Sequence, residues 1–369
     1  MDIVLMIVYA TILLGFLVFI HEGGHYLAAR AFGVRVTEFM LGLPGPSVGF
    51  TRGGTRFGVT AVPLGGYAKV CGMEAGEMSP HLEQALAALY RRGTANMEDI
   101  ARDCGISDDD AYEALEELVE WGSIKGPTKK DQYNTYRAVE VRPTKKQVKA
   151  AEAAMQPVPP SYALGEARPV ADTHALFESE YRQQYRALPF WKRSVILVAG
   201  VFVNLLFAVL LFVLMFSVIG YEAQSPNTGI FYHAVMSPLQ SVQAGFSYIG
   251  QVVVMVASLF NPATAADTVS NSTSIIGIAV MSKSAVDMGL MGVLQFTAMI
   301  SVSLGIMNLL PIPPLDGGRF VVEVFQKISR RVVSTKALNY VSAAGMLLFL
   351  GFFLVMANQD IQRFVFGNW

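Results

Sequence analysis

Ile3-Val-Leu-Met-Ile-Val-Tyr-Ala-Thr-Ile-Leu-Leu-Gly-Phe-Leu-Val-Phe-Ile20, followed without a break by His21-Glu22-Gly23-Gly24-His25, decides how this chain is read. No residue from 3 to 20 is charged. At the rise of an α-helix the run reaches about 27 Å, just enough to cross a hydrocarbon core. Met1-Asp2 supplies no basic segment ahead of it, and no small-residue cleavage site follows before His21, so a retained helix is expected rather than a cleaved signal. Two histidines and a glutamate then sit at the end of an apolar span, where ionisable side chains are costly and usually functional.

The rest of the composition agrees with a membrane protein. Of 369 residues, 53% are hydrophobic, and the formal net charge is −1. Three further stretches carry no charge: Ser194 to Tyr221, Met288 to Leu315 and Ala337 to Gln359. Each exceeds the roughly 20 residues a spanning helix needs, so four transmembrane helices are expected. Arg30, Arg35, Lys192 and Arg193 flank the link between spans one and two. Arg319, Lys327, Arg330, Arg331 and Lys336 lie between spans three and four, whereas Lys283 is the only basic residue from Tyr221 to Asp287. The positive-inside rule then predicts a multi-pass membrane protein with both termini outside and residues 31–190 in the cytoplasm. Cys71 and Cys104 fall on that reducing side, which argues against a disulfide.

Between spans one and two the pattern changes twice. Phe50 to Met73 is Gly-rich, with short strand-like runs such as Arg56 to Val62, and reads as a membrane-associated β-region within residues 31–75. From His81 to Gly126 come three amphipathic helices: one with Leu82, Ala85, Leu86, Leu89 and Tyr90 on a face, one over Met97 to Cys104, and one from Ser107 through Trp121. Ser107 before Asp108, Asp109 and Asp110 is an N-terminal capping signal. Tyr133 to Val141 follows as a strand. This order resembles a winged helix-turn-helix domain, assigned to residues 80–149. Its charge argues against nucleic acid: His81 to Gly126 holds eleven acidic and four basic side chains, and phosphate would repel the third helix. A protein partner or self-association is expected instead, although Lys129, Lys130, Arg137, Arg142, Lys145, Lys146 and Lys149 make the wing side basic. Residues 150–190 read as an Ala/Pro-rich linker and a polar juxtamembrane helix over Glu178 to Arg186.

His21-Glu22-Gly23-Gly24-His25 has the spacing H-E-x-x-H. Positions four apart lie on one helix face, so two imidazoles can share a zinc ion. Glu22, one position on, can act as general base toward water that the metal acidifies. A catalytic zinc takes a third protein ligand. Asp316 is the strongest candidate, since it closes the long uncharged run within Asn308-Leu-Leu-Pro-Ile-Pro-Pro-Leu-Asp316-Gly-Gly318. Pro311, Pro313 and Pro314 cannot continue a regular helix, and broken backbone at membrane depth is tolerated only where protein or a cavity satisfies it. The alternative is that Asp316 caps a cytoplasmic helix.

With these residues in view, the chain resembles the site-2 protease family of intramembrane metalloproteases, particularly its bacterial regulator-of-sigma-E branch. The matches are HEGGH at 21–25, Pro63-Leu-Gly-Gly-Tyr-Ala-Lys69, Ala199-Gly200-Val-Phe-Val-Asn204, and Asn308 to Gly318. The resemblance implies zinc held by His21, His25 and Asp316, with Glu22 as general base. It also implies that Asn204 and Asn308 position substrate, and that strand-like Ser274 to Val280 pairs with it. A polar amide in a spanning helix is as often interhelical glue, and Ile275, Ile276 and Ile278 could equally be core. The chain departs from the branch in two places: Tyr221 to Asp287 is too short and too poor in strand pattern for the branch's PDZ domains, and the cytoplasmic insert is extra.

The expected architecture is therefore an α-helical polytopic membrane protein. Helix 1 with HEGGH takes residues 1–30, helix 2 takes 191–221, and a short extracytoplasmic loop takes 222–287. Helix 3 with the Asp316 motif takes 288–318, and a cytoplasmic connection and helix 4 take 319–369. The expected activity is zinc-dependent hydrolysis of peptide bonds in or near a single-span membrane-protein substrate of the anti-sigma-factor kind, in contact with the lipid bilayer. A membrane-tethered regulator or DNA-binding protein is the rival reading, and it leaves HEGGH without purpose.

Overall fold

The computed structural model describes every residue except 1, 63–64, 74–75, 130, 132–133, 144, 225–229, 365 and 368–369. Pro63, Leu64, Lys130 and Tyr133, named above, therefore lie outside the described residues. The chain divides into two compact units: one of residues 1–28, 38–68 and 190–369, the other of residues 29–37 and 69–189.

Helix α1 (Asp2–Ala31) carries the apolar run and HEGGH without interruption. Four strands follow, β1 (Val36–Leu41), β2 (Ser47–Arg52), β3 (Thr55–Thr60) and β4 (Gly66–Val70), in a sheet ordered β2-β3-β1-β4. All four strands fall within residues 31–75, the first at Val36, ahead of the Gly-rich stretch. Aromatic rings fix part of the sheet on α1 beside HEGGH: Phe39 meets Phe19 at 5.5 Å and Tyr26 at 5.6 Å, and Phe57 meets Tyr26 at 5.5 Å, all edge-on.

The second unit contains α2 (Leu82–Arg92), β5 (Thr94–Asn96), α3 (Met97–Cys104), α4 (Asp108–Glu120), β6 (Ile124–Lys125), β7 (Thr135–Ala138), α5 (Lys145–Ala153) and α6 (Thr173–Tyr181). The three strands form a sheet ordered β5-β7-β6. Ser107 caps α4 by accepting from the Asp110 amide at 3.1 Å. Leu86, Leu89, Ile100, Leu115, Leu118, Trp121 and Tyr136 are fully buried in one core. Two expectations are corrected here. The polar helix expected over Glu178 to Arg186 forms as α6, which begins at Thr173 and packs Leu176, Phe177 and Tyr181 onto that core, so its apolar face decides its limits. Part of the expected linker is also tied to the unit: Arg168 donates to Val139 and lies 4.1 Å over the Tyr90 ring, while its amide donates to the Tyr90 carbonyl.

The first unit resumes with α7 (Phe190–Val213), which runs into a π-helical turn, Leu214–Ile219. A hairpin of β8 (Tyr221–Gln224) and β9 (Phe231–Ala234) leads to α8 (Pro238–Ser258), α9 (Ala265–Ser270), α10 (Ile275–Asp287) and α11 (Gly289–Asn308). A non-helical Pro-rich segment then precedes α12 (Asp316–Ser329) and α13 (Thr335–Phe364). Among the described residues five helices are long and apolar enough to cross a membrane: Ile3–Ala31, Phe190–Ile219, Pro238–Ser258, Gly289–Asn308 and Thr335–Phe364. Four fall in the runs read from sequence. The fifth, α8, occupies part of what reads as an extracytoplasmic loop, because Gln240, Gln243, Ser247 and Gln251 dilute its hydropathy. Its Val252 and Val256 nonetheless pack with Ala208, Val302 and Ile306. The strand expected over Ser274 to Val280 is also corrected: it is the start of α10. Ser274 caps it through the Ile276 amide, and the Asp360 carboxylate accepts from the Ser274 amide, the Ser274 hydroxyl and the Gly277 amide. Capping and tertiary contact outweigh the β-branched run there.

In the second unit Cys71 is fully buried and free, and burial pushes its thiol up to about 11. Only a small fraction is thiolate at pH 8, so alkylation of native Cys71 is expected to be at least about 100-fold slower than that of an exposed thiol. The rate should climb tenfold per pH unit toward that value, and mass spectrometry after timed iodoacetamide exposure measures it. Rapid labelling at pH 8 would contradict the burial.

Candidate metal centre

Helix spacing alone brings His21 and His25 to one face of α1; what lets them face inward is the absence of side chains at two glycines. A Cβ on Gly24 would lie 2.5 Å from the Ala199 carbonyl oxygen and 2.9 Å from the Gly200 Cα. A Cβ on Gly200 would fall within contact distance of the His25 Nε2 and 2.8 Å from the His21 carbonyl. α1 and α7 thus cross at backbone contact, as small residues permit in membranes. Gly23 is different, since a Cβ there meets nothing within 4 Å.

Asp316 arrives from the far end of the unit. α11 stops at Asn308, the prolines prevent its continuation, and the chain turns into α12 with Asp316 at its first position. Gly317 and Gly318 lie directly against the backbone of residues 309–313, where any side chain would collide. Arg193 on α7 and the buried Glu323 on α12 pair at 3.3 Å, tying the helix that begins with Asp316 to α7.

These elements converge on one point. His21 Nε2 lies 3.0 Å and His25 Nε2 3.1 Å from the same Asp316 oxygen, Oδ2, and the two Nε2 atoms are 3.3 Å apart. Ligand atoms of all three residues lie within 4.8 Å of one another. Both histidines are buried, at 6% and 7% exposure. His25 Nδ1 is 2.7 Å from the Ile196 carbonyl, which can only accept, so Nδ1 carries the proton and Nε2 offers its lone pair. Two imidazoles and a carboxylate in this arrangement are a donor set that fits a zinc ion with one position left open.

Glu22 is half-buried beside this cluster, and its Oε2 accepts from the Ala68 amide of β4 at 2.9 Å. Sequence reading missed this contact, which depends on how β4 lies against α1. The asparagines separate. Asn204 is fully buried with its Nδ2 3.3 Å from His21 Nδ1, while Asn308 is half-buried and donates to the Leu304 carbonyl of its own helix at 3.0 Å. The packing roles of Gly24, Gly200 and Ile196 also escaped the sequence reading. For Ile196 and Gly200 the signal there is the stripe Ile196, Gly200, Asn204, spaced four apart.

Gly200→Ala is expected to displace His25 and abolish metal binding, and Gly24→Ala to lower it at least about 10-fold by spreading the helices. Gly23→Ala should leave metal content unchanged. Metal stoichiometry of the three purified variants checks this, and a Gly200→Ala protein with full metal would contradict the crossing.

A protein of Agrobacterium fabrum named "Putative zinc metalloprotease Atu1380" is 25% identical over 376 residues, covering 96% of this chain and 95% of the relative. One of Campylobacter jejuni, "Putative zinc metalloprotease Cj1068", is 26% identical over 380 residues, covering 96% and 93%. A Staphylococcus aureus relative, "Putative zinc metalloprotease SAR1238", is 32% identical over 148 residues, 40% of this chain; the chain spans about a third, 33%, of that relative's length. The profile of Peptidase family M50 matches residues 9–352, nearly the whole chain. With several helices of membrane-crossing length and this match, the chain is a membrane protein that belongs to Peptidase family M50.

Proposed function

We propose that the chain is a zinc-dependent intramembrane endopeptidase that hydrolyses peptide bonds in or near the spanning segments of other membrane proteins. The observation that carries this reading is the convergence of His21, His25 and Asp316 beside Glu22 at the end of an apolar helix. His21, His25 and Asp316 would hold the metal, and Asn308 remains a candidate for contacting the substrate backbone. Bound there, zinc supplies a Lewis acid that polarises the scissile carbonyl and makes water a better nucleophile. Glu22 takes the proton from the attacking water and returns it to the leaving amine. The Ala68 amide holds the Glu22 carboxylate in place for both transfers.

A helical substrate must unwind first, because its carbonyls are already hydrogen-bonded. Residues 275–280 are helical, with Ser274 as their cap, and offer no strand for the unwound chain. β4 is an edge strand of the sheet and its Ala68 amide binds Glu22, so an extended substrate that adds to this edge would lie next to Glu22. Val48 and Phe50, 85% and 65% exposed on β2, suit a sheet that lies against lipid.

The substrate class is a single-span regulatory protein of the anti-sigma-factor kind. The short, strand-poor stretch 221–287 supports substrate selection by means other than the branch's PDZ domains. The bacterial relatives support a cytoplasmic (inner) membrane placement, and the basic residues flanking spans one and two support residues 31–190 in the cytoplasm. The helix-strand-helix-helix-strand-strand order of residues 82–138 supports a winged-helix reading of the insert. Asp108, Asp109, Asp110 and Glu113 on α4 suit a protein partner or a second copy better than phosphate.

Purified protein in detergent tests the activity on a model single-span substrate. Wild type should cut it; Glu22→Gln should keep its zinc yet lose at least about 100-fold in rate, and Asp316→Asn should lose zinc. Equal cleavage by Glu22→Gln would overturn hydrolysis at this site.

A further inference from the structure

Asn204 lies in α7 four residues past Gly200, with none of its surface exposed. Its Nδ2 sits 3.3 Å from His21 Nδ1, and its Oδ1 is buried with no hydrogen-bond partner. With the amide turned this way, Nδ2 donates to Nδ1, and the imidazole proton must sit on Nε2. That proton would point at His25 Nε2 and Asp316 Oδ2, where a metal ligand needs a lone pair.

The two ends of an asparagine amide are distinguished by their hydrogen bonds, and a half-turn exchanges them. In the present orientation the buried Oδ1 has no donor, and the 3.3 Å contact of Nδ2 with His21 Nδ1 is the only hydrogen bond that the side chain makes among the described residues. The half-turn gives the orphaned oxygen a donor, the His21 Nδ1–H, and frees His21 Nε2 to face His25 Nε2 and Asp316. It also makes the two histidines alike. His25 Nδ1 donates to the Ile196 carbonyl at 2.7 Å, so each ring would be held from behind by a group on α7, eight residues apart on one stripe with Gly200 between them. The α7 backbone at Asn204 is itself fixed, since the Ser301 hydroxyl of α11 donates to the Asn204 carbonyl at 2.8 Å.

We infer that Asn204 is a positioning residue for His21: its amide oxygen accepts from Nδ1–H and sets the tautomer in which Nε2 can bind metal, and it does not touch substrate. The inference rests on the zinc reading above. Second-sphere partners of this kind change metal affinity about 10–100-fold when removed.

The test is zinc affinity by chelator competition and the visible spectrum of the cobalt-loaded protein, measured on wild type, Asn204→Leu and Asn204→Asp, with melting of each metal-free protein as a control on folding. Asn204→Leu removes the acceptor at similar size and is expected to bind zinc about 10–100-fold more weakly with an altered cobalt spectrum. Asn204→Asp keeps an acceptor and should match wild type in both. Wild-type affinity and spectrum in Asn204→Leu would overturn the inference, as would an Asn204→Asp protein as weak as Asn204→Leu, which is what interhelical glue predicts. If Asn204→Leu does not fold, Asn204→Asp against Asn204→Ala decides on the same terms. A wild-type protein that binds no zinc would instead remove the zinc reading beneath it.

Discussion

Gly24 and Gly200 hold α1 and α7 so close that neither could carry even a methyl group, and the rest of the centre is arranged around that contact. Helical periodicity puts His21 and His25 on one face. Only the missing side chain at Gly200 leaves room for the His25 ring and the His21 backbone against α7. The same contact brings the Ile196 carbonyl and the Asn204 amide within reach of the two Nδ1 atoms. Backbone proximity thus decides ring orientation, and ring orientation decides where the lone pairs point.

A carboxylate and two imidazoles at the end of an apolar helix are expensive unless they are paired. Here they meet one another, and the cost of bringing Asp316 in is met by backbone geometry. Three prolines end α11, and Gly317 and Gly318 let α12 start directly beneath the turn. The Arg193–Glu323 pair ties α12 to the beginning of α7. α13 reaches the same turn, because Gly345 packs against the Pro313 carbonyl with no space for a side chain. The proposed site therefore draws on small residues in α1, α7, α12 and α13, far apart in sequence.

What the sequence could reveal depended on whether the deciding physics was local. The i,i+4 spacing of HEGGH and the helix-breaking prolines before Asp316 are local, and the structure brings His21, His25 and Asp316 together. Helices over Leu82–Arg92 and Met97–Cys104 and the Ser107 cap were legible for the same reason. The failures are tertiary. Ser274 to Val280 has the residues of a strand, yet Asp360, more than eighty positions on, caps it as a helix. α8 hides among glutamines, and α6 is set by aromatic packing against Trp121. Asn204 is a polar residue in a spanning helix, a pattern shared by substrate contacts, interhelical glue and histidine support. Only its partner distinguishes them.

The central claim is that HEGGH and the residue after the Pro-rich turn form one metal site. Zinc-edge X-ray absorption on the purified, unmodified chain tests it most directly. One zinc per chain is expected, with two imidazole nitrogens and oxygen donors, all at about 2.0–2.2 Å, and no sulfur. A sulfur shell at about 2.3 Å, implicating Cys71 or Cys104, or purified protein that takes up no zinc, would contradict it.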